Sequence, residues 1–139
     1  IVIVIVIVIV ILIVIVIILI LVLNTERDAV LAKAVTRAAD HLGLSKATLG
    51  RVLGLSQATV TRLYQGQYRL DPGSKPGELA LLLLRLFRSL DSIVGSTEAA
   101  RAWLASDNAG LNGVPRELIL ETRGLVHVTD YLDAHRARV

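Results

Sequence analysis

Past residue 23, apolar side chains recur at steps of three and four, and each run stops at glycine, proline or a polar cluster. That is a helical pattern throughout. Val30, Leu31, Ala34, Val35, Ala38 and Leu42 predict a helix over Thr25–Leu42, ended by Gly43. Within Lys46–Gln65, Leu49 and Leu53 share a face of one short helix and Val60 and Leu63 a face of the next, with Leu55 at the corner. Gln67–Gly77, which holds two prolines and two glycines, is a loop. A long helix follows from about Pro76 to Val94. There Leu79, Leu83, Leu86, Leu90 and Ile93 alternate steps of four and three, and Leu81, Leu82, Leu84 and Phe87 widen the stripe. Thr97 is expected to cap a short helix through Leu104 with Trp103 buried. After the loop Ser106–Val114, Pro115 opens a helical PRELIL, and Gly124 separates it from a last helix, Leu125 to about Arg136. Val128, Tyr131 and Leu132 of that helix face inward. No strand and no internal repeat is expected after residue 23.

Residues 1–23 break this pattern, because they contain only Ile, Val and Leu. Their length and hydropathy match a membrane span. A positively charged n-region and interfacial Trp or Tyr are missing. Near-perfect Ile/Val alternation makes both faces equally apolar, and as a free strand it would aggregate. The segment is therefore expected to be artificial or unassigned, with a membrane anchor as the other reading and no function drawn from it. The chain as a whole is 54% hydrophobic. Without this segment the value is about 45%, ordinary for a globular domain.

The two short helices form a helix-turn-helix, the arrangement that places a recognition helix in the DNA major groove. Gly54 sits at the turn, where a left-handed backbone suits glycine. Gly50 lies where the helices cross, Ser45 and Ser56 stand at N-cap positions, and Gly66 ends the second helix. Gln57, Ala58, Thr61, Arg62 and Gln65 remain on the outer face of that second helix. Gln and Arg pair bidentately with base edges, and the Ala and Thr methyls suit the thymine methyl. Gln57 and Arg62 are expected to read bases, and Lys46, Arg51 and Ser56 to contact phosphates. Charge agrees with this: residues 24–75 carry eight Lys/Arg against four Asp/Glu, whereas residues 76–139 carry seven against eight.

A helix apolar over most of its circumference needs cover on several sides. In so small a chain one of those sides is expected to belong to a second copy. Leu79, Leu83, Leu86 and Leu90 are the candidate dimerisation residues, the alternative being the core helix of a monomer.

Catalytic chemistry is not expected. The chain has no cysteine for a disulfide or thiolate zinc site. Of its three histidines, His127 and His135 lie about 12 Å apart along a helix, too far to share a metal. His127 and Asp130 form at most a surface pair. No phosphate-cradling loop or nucleophile elbow is present.

The order of pieces resembles the Xre/MbcA/ParS antitoxins, partners of RES-domain toxins. The residues that carry the resemblance are Ala102-Trp103-Leu104, Asn108, Leu111, Gly113, Pro115, Glu117-Leu118, Gly124, Val128 and Leu132, within a match spanning about residues 27–136. Two places depart from the pattern: Ser106-Asp107-Asn108, where a proline usually flanks the Asn, and the ending His135-Arg136-Ala137-Arg138-Val139.

The resemblance implies an all-α fold, an Xre/Cro-like helix-turn-helix bundle followed by a small helical toxin-binding domain. It implies a cytoplasmic protein without cofactor that binds the promoter of its own operon and blocks the active site of an NAD-degrading toxin. Asn108, Arg123, Tyr131, His135, Arg136 and Arg138 are the candidate toxin-binding residues, with Arg136 and Arg138 placed at the toxin's pocket. The domain reading is residues 1–23 apart, 24–75 for DNA, and 76–139 for dimerisation and toxin. Two other functions compete: a dimeric transcription factor whose second half senses a ligand, and a membrane-tethered regulator that uses residues 1–23.

Overall fold

The computed structural model describes residues 1–138. Seven helices follow in chain order: α1 (Val2–Leu42), α2 (Lys46–Leu53), α3 (Gln57–Tyr64), α4 (Lys75–Val94), α5 (Thr97–Ala105), α6 (Pro115–Leu118) and α7 (Thr122–Arg136). The only extended pairing among the described residues is an isolated bridge, Asn108 to Gly113, inside the α5–α6 loop. The fold is all-α, a helix-turn-helix unit followed by a helical C-terminal unit.

Serine starts most of these helices. The hydroxyls of Ser45, Ser56, Ser74 and Ser96 accept from the backbone N–H of Thr48, Thr59, Gly77 and Ala99, three residues on, at 3.1–3.2 Å. Each satisfies one of the donors that a helix start leaves without a partner. The cap of α5 is thus Ser96 and not Thr97, because the residue just outside the helix is the one whose hydroxyl can turn back on the first turn.

Three boundaries differ from the sequence expectation. α1 continues unbroken to Val2, since Ile, Val and Leu carry no breaker, and none of the side chains from 1 to 23 is buried. PRELIL yields only the single turn Pro115–Leu118. α7 begins at Thr122, so Gly124 lies in its first turn and does not separate two helices. The reason is space: a Cβ on Gly124 would lie 1.8 Å from the Leu118 carbonyl oxygen. The glycine lets the start of α7 close on α6.

α4 organises the core. It packs most extensively on α7, next on α1, and also on α2 and α5. Leu83, Leu86 and Leu90 are fully buried and Leu79 nearly so, among Val35, Leu49, Leu53, Leu125, Val128 and Leu132. This corrects the expectation for the leucine stripe. Leu79, Leu83, Leu86 and Leu90 are spent inside the chain, because α1, α2 and α7 already surround them, and they offer nothing to a second copy. Val30 is 67% exposed although its spacing fits the stripe, and Trp103 is half-buried rather than buried.

One polar network crosses this core. The Oγ of Ser89, itself buried, donates to Asp133 Oδ1 of α7 at 2.6 Å, and the other carboxylate oxygen pairs with the guanidinium of Arg85. The buried hydroxyl and Asp133 Oδ1 are thereby satisfied, while Asp133 Oδ2, buried and without a hydrogen bond, is compensated only by the charge of Arg85.

Candidate DNA- and partner-binding surfaces

The helix-turn-helix closes as its spacing demands. Leu49, Leu53, Val60 and Leu63 are buried. Gly54 caps α2 at φ 70°, ψ 32°, the left-handed region. A Cβ on Gly50 would meet the Leu55 carbonyl oxygen at 2.9 Å and Val60 Cγ2 at 3.2 Å, so the missing side chain sets how closely α2 and α3 cross.

Gln57, Ala58, Arg62 and Gln65 are exposed along α3, and Thr61 is half-buried with its hydroxyl donating to the Gln57 carbonyl. Arg62 Nη2 reaches Thr59 Oγ1 at 3.3 Å, and Thr59 Oγ1 in turn lies 2.8 Å from Ser56 Oγ. A cap hydroxyl, a threonine and the guanidinium therefore form one line on the surface of α3. Ser56 is occupied by that cap, which leaves Lys46 and Arg51, both exposed on α2, as the charged groups beside α3.

Lys46 is held. Its Nζ stands 5.0 Å from the centroid of the Tyr64 ring, a cation–π contact between the start of α2 and the end of α3. The Tyr64 hydroxyl donates to Asp40 Oδ1 of α1 at 3.3 Å. Burial first, then the Asp40 charge and this hydrogen bond, push the phenol from 10.0 to about 12. The fold thus favours the neutral phenol. Its contribution to stability is intact below pH 10 and is lost as pH rises toward 12. Tyr64→Phe should therefore flatten the decline of stability over that alkaline window, read by denaturant unfolding at a series of pH values. An unchanged slope would mean that the Tyr64 phenol is not shifted by folding.

A second link joins α1 to the C-terminal unit. Arg101 of α5 donates from Nη2 to the Asp40 carbonyl at 2.7 Å and from Nε to the His41 carbonyl at 3.0 Å. It satisfies the His41 carbonyl and adds a second donor to that of Asp40, which already accepts from Gly43 N, at a helix end that favours a cation. His41 lies 5.7 Å from the Phe87 ring of α4, and its Nδ1 is 3.5 Å from Thr97 Oγ1.

The candidate toxin-binding residues fall in separate places. Asn108 is used within its own loop: its Oδ1 accepts from Leu111 N at 3.2 Å, and its backbone pairs with Gly113. Tyr131 and His135 are brought together, with ring centroids 4.1 Å apart and the Tyr131 carbonyl 2.8 Å from His135 Nδ1. Trp103 extends this ladder, 6.4 Å from Tyr131 and stacked on it. Gly110 lies against the same ring, where a Cβ would come within 2.8 Å of Tyr131 Cε2. Arg123 is exposed in the first turn of α7 and not on a loop, facing a shallow groove with Glu117, Glu121 and His127. Arg136 lies about 20 Å further along the helix, beside Arg85 and Asp133. Arg138 is exposed just beyond it. No hydrogen bond joins His127 to Asp130 among the described residues.

Sequence reasoning missed Thr59, the Tyr64–Asp40 bond and the Arg101 clasp. The repeated Ser-x-x-Thr at Ser45/Thr48 and Ser56/Thr59 carried the first. No local spacing carries the other two, which join residues 24 and more than 50 positions apart.

The fold thus joins a helix-turn-helix with an exposed polar face on α3 to a helical unit that presents an aromatic ladder. Comparison with known families makes this specific. The antitoxin Xre-like helix-turn-helix domain matches residues 22–85, and the antitoxin Xre/MbcA/ParS C-terminal toxin-binding domain matches residues 89–138. The chain belongs to the Xre/MbcA/ParS antitoxins. No curated protein matches it. The two matched spans meet inside α4, and residues 1–21 lie outside both.

Proposed function

We propose that this antitoxin inhibits a RES-domain, NAD-degrading toxin by covering its active site, and that as a cytoplasmic homodimer it represses its own operon. Binding, not catalysis, is its work on both counts. The observation that carries the reading is the joining, through α4, of an exposed polar α3 face to a matched toxin-binding domain. Trp103, Tyr131 and His135 form the anchor on the toxin side, as aromatic clusters in half-buried settings suit interface centres. Arg136 and Arg138 extend from the end of α7 beyond that anchor, where they can pair with a carboxylate of a nucleotide pocket. Asn108 acts by holding its loop, and Arg123 stands too far along α7 to share the same pocket as Arg136.

The test is co-expression of the full chain with the RES-fold protein of the neighbouring reading frame, scored by co-purification and by cellular NAD. Wild type should protect NAD, and the Arg136→Asp/Arg138→Asp double variant should release the toxin while keeping operator binding. If the double variant protects as well as wild type, the arginines are not the plug. If wild type neither captures the toxin nor preserves NAD, the RES assignment falls.

For DNA, Arg62→Ala should cost about 1–3 kcal/mol on the operator and far less on random sequence, as expected of a lost bidentate base contact. Titration of both DNAs at one salt concentration checks this. Equal losses would make Arg62 a phosphate contact only.

A further inference from the structure

The pattern Ser-x-Ala-Thr-apolar-x-Arg occurs twice in the helix-turn-helix, at residues 45–51 and again at residues 56–62. In both places the serine caps its helix and the two hydroxyls meet. Ser45 Oγ lies 2.9 Å from Thr48 Oγ1, and Ser56 Oγ lies 2.8 Å from Thr59 Oγ1. The two places part at the arginine. Arg62 Nη2 donates to Thr59 Oγ1 at 3.3 Å, whereas Arg51 makes no hydrogen bond to Thr48 among the described residues. One guanidinium is held and the other is free, on helices with the same local pattern.

The hold has a direction. A side chain on a helix leans toward the helix N-terminus. A bond to the residue three positions earlier draws the Arg62 guanidinium back over the first turn of α3. In a helix-turn-helix that turn is the part that meets base edges. A guanidinium has no acceptor, so Thr59 Oγ1 must accept from it, and the Ser56 hydroxyl on its other side fixes where that oxygen stands. Ser56 Oγ is itself fixed by accepting from Thr59 N at 3.2 Å.

The chemistry of the holding group matters too. No Asp or Glu occurs between Asp40 and Asp71, a stretch that carries Lys46, Arg51, Arg62 and Arg69. A carboxylate beside Arg62 would bind it strongly and compete with the anionic duplex for it. A neutral hydroxyl orders the guanidinium and leaves its charge and its remaining donors for DNA. A side chain ordered beforehand loses less freedom on binding.

We propose that Thr59 is the positioning residue for base reading by Arg62, and that Arg51, with the same neighbours but no such hold, reads no base. This rests on the base contact given to Arg62 in the proposed function and names what places it. Thr59 acts through Arg62 and not on the DNA.

The full chain is used to select duplexes from a randomised library, and its affinity for the selected duplex and for a scrambled one is titrated at one salt concentration. Arg62→Ala identifies the base pairs that depend on the guanidinium. Thr59→Val removes the hydroxyl with little change of shape and leaves the Ser56 cap on the backbone N–H. It should relax the same base pairs, lower affinity for the selected duplex about fivefold and leave the scrambled duplex unchanged. In the Arg62→Ala background it should cost nothing further, because the two residues act as one unit. Thr59→Ser, which keeps the hydroxyl, should restore wild-type selection. Thr48→Val takes the matching hydroxyl from α2 and should select as wild type does.

If Thr59→Val relaxes other base pairs, or weakens binding further in the Arg62→Ala background, Thr59 meets the DNA itself. If Thr48→Val relaxes selection equally, the effect belongs to the capped helix starts. If Thr59→Val selects and binds as wild type while Arg62→Ala does not, Arg62 reads bases unaided. Each of these overturns the positioning role and leaves the base contact standing. If Arg62→Ala selects as wild type does, or if wild type selects no sequence, the base reading in the proposed function falls and this inference with it.

Discussion

Leu86→Asp should unfold the chain, not merely separate its subunits. Leu86 has no exposed surface and packs within the core that α4 shares with α1, α2 and α7. A carboxylate there finds no cation, since the Arg85 guanidinium on the next residue is on the outer side with Asp133. Burying an unpaired charge is among the few single changes that cost more than about 4 kcal/mol. That is comparable with the whole stability of a domain this size. Trp103 fluorescence and limited proteolysis of the full chain should both report an open chain. Leu81→Asp, on the exposed side of the same helix, should keep native fluorescence and protease resistance. If Leu86→Asp stays folded and only changes oligomeric state, the internal packing described for α4 is wrong.

Gly124→Ala should lower the melting temperature by on the order of 10 °C, from a destabilisation of about 3 kcal/mol. Propensity alone points the other way: alanine in a helix is better than glycine by about 1 kcal/mol. The sign of the change therefore decides which effect wins. A Cβ at position 124 would sit 1.8 Å from the Leu118 oxygen and 2.6 Å from its carbonyl carbon. Backbone cannot give way as a flexible side chain would, so α6 and α7 must part. Ile119, with no exposed surface, sits beside that junction and would lose its cover. A thermal scan that shows an unchanged or higher melting temperature would mean the junction is looser than described.

The helix-turn-helix was legible because every device in it is local. Ser45 and Ser56 cap within three residues, Gly54 turns at a single position, and Gly50 meets Leu55 only five residues away. The existence of α4 and its inward stripe were legible for the same reason. Which faces of α4 a second copy would cover was not, since a helix apolar on most sides gives no sign of which neighbours belong to its own chain. Periodicity placed Val30 with the core, yet it is exposed, because α1 is wider in apolar surface than the bundle can cover. Gly124 looked like a helix separator, because glycine serves both as a stop and as a place of close approach, and only the position of Leu118 distinguishes them. On the toxin side, the proximity of Trp103, Tyr131 and His135 depends on how α5 lies across α7, which no spacing within either helix encodes.

Because α4 carries core residues for both units, the two lack separate folding boundaries. α4 packs on α2 of the helix-turn-helix and on α7 within one core cluster, so unravelling either unit strips cover from the other. A proteolytic machine that pulls on any exposed segment then meets a single barrier, and past it the whole chain is lost in one event. Half-digested survivors, with one surface still competent and the other gone, should not accumulate during turnover. Whatever each surface holds is let go at the same moment, so the lifetime of this one helical assembly times both releases.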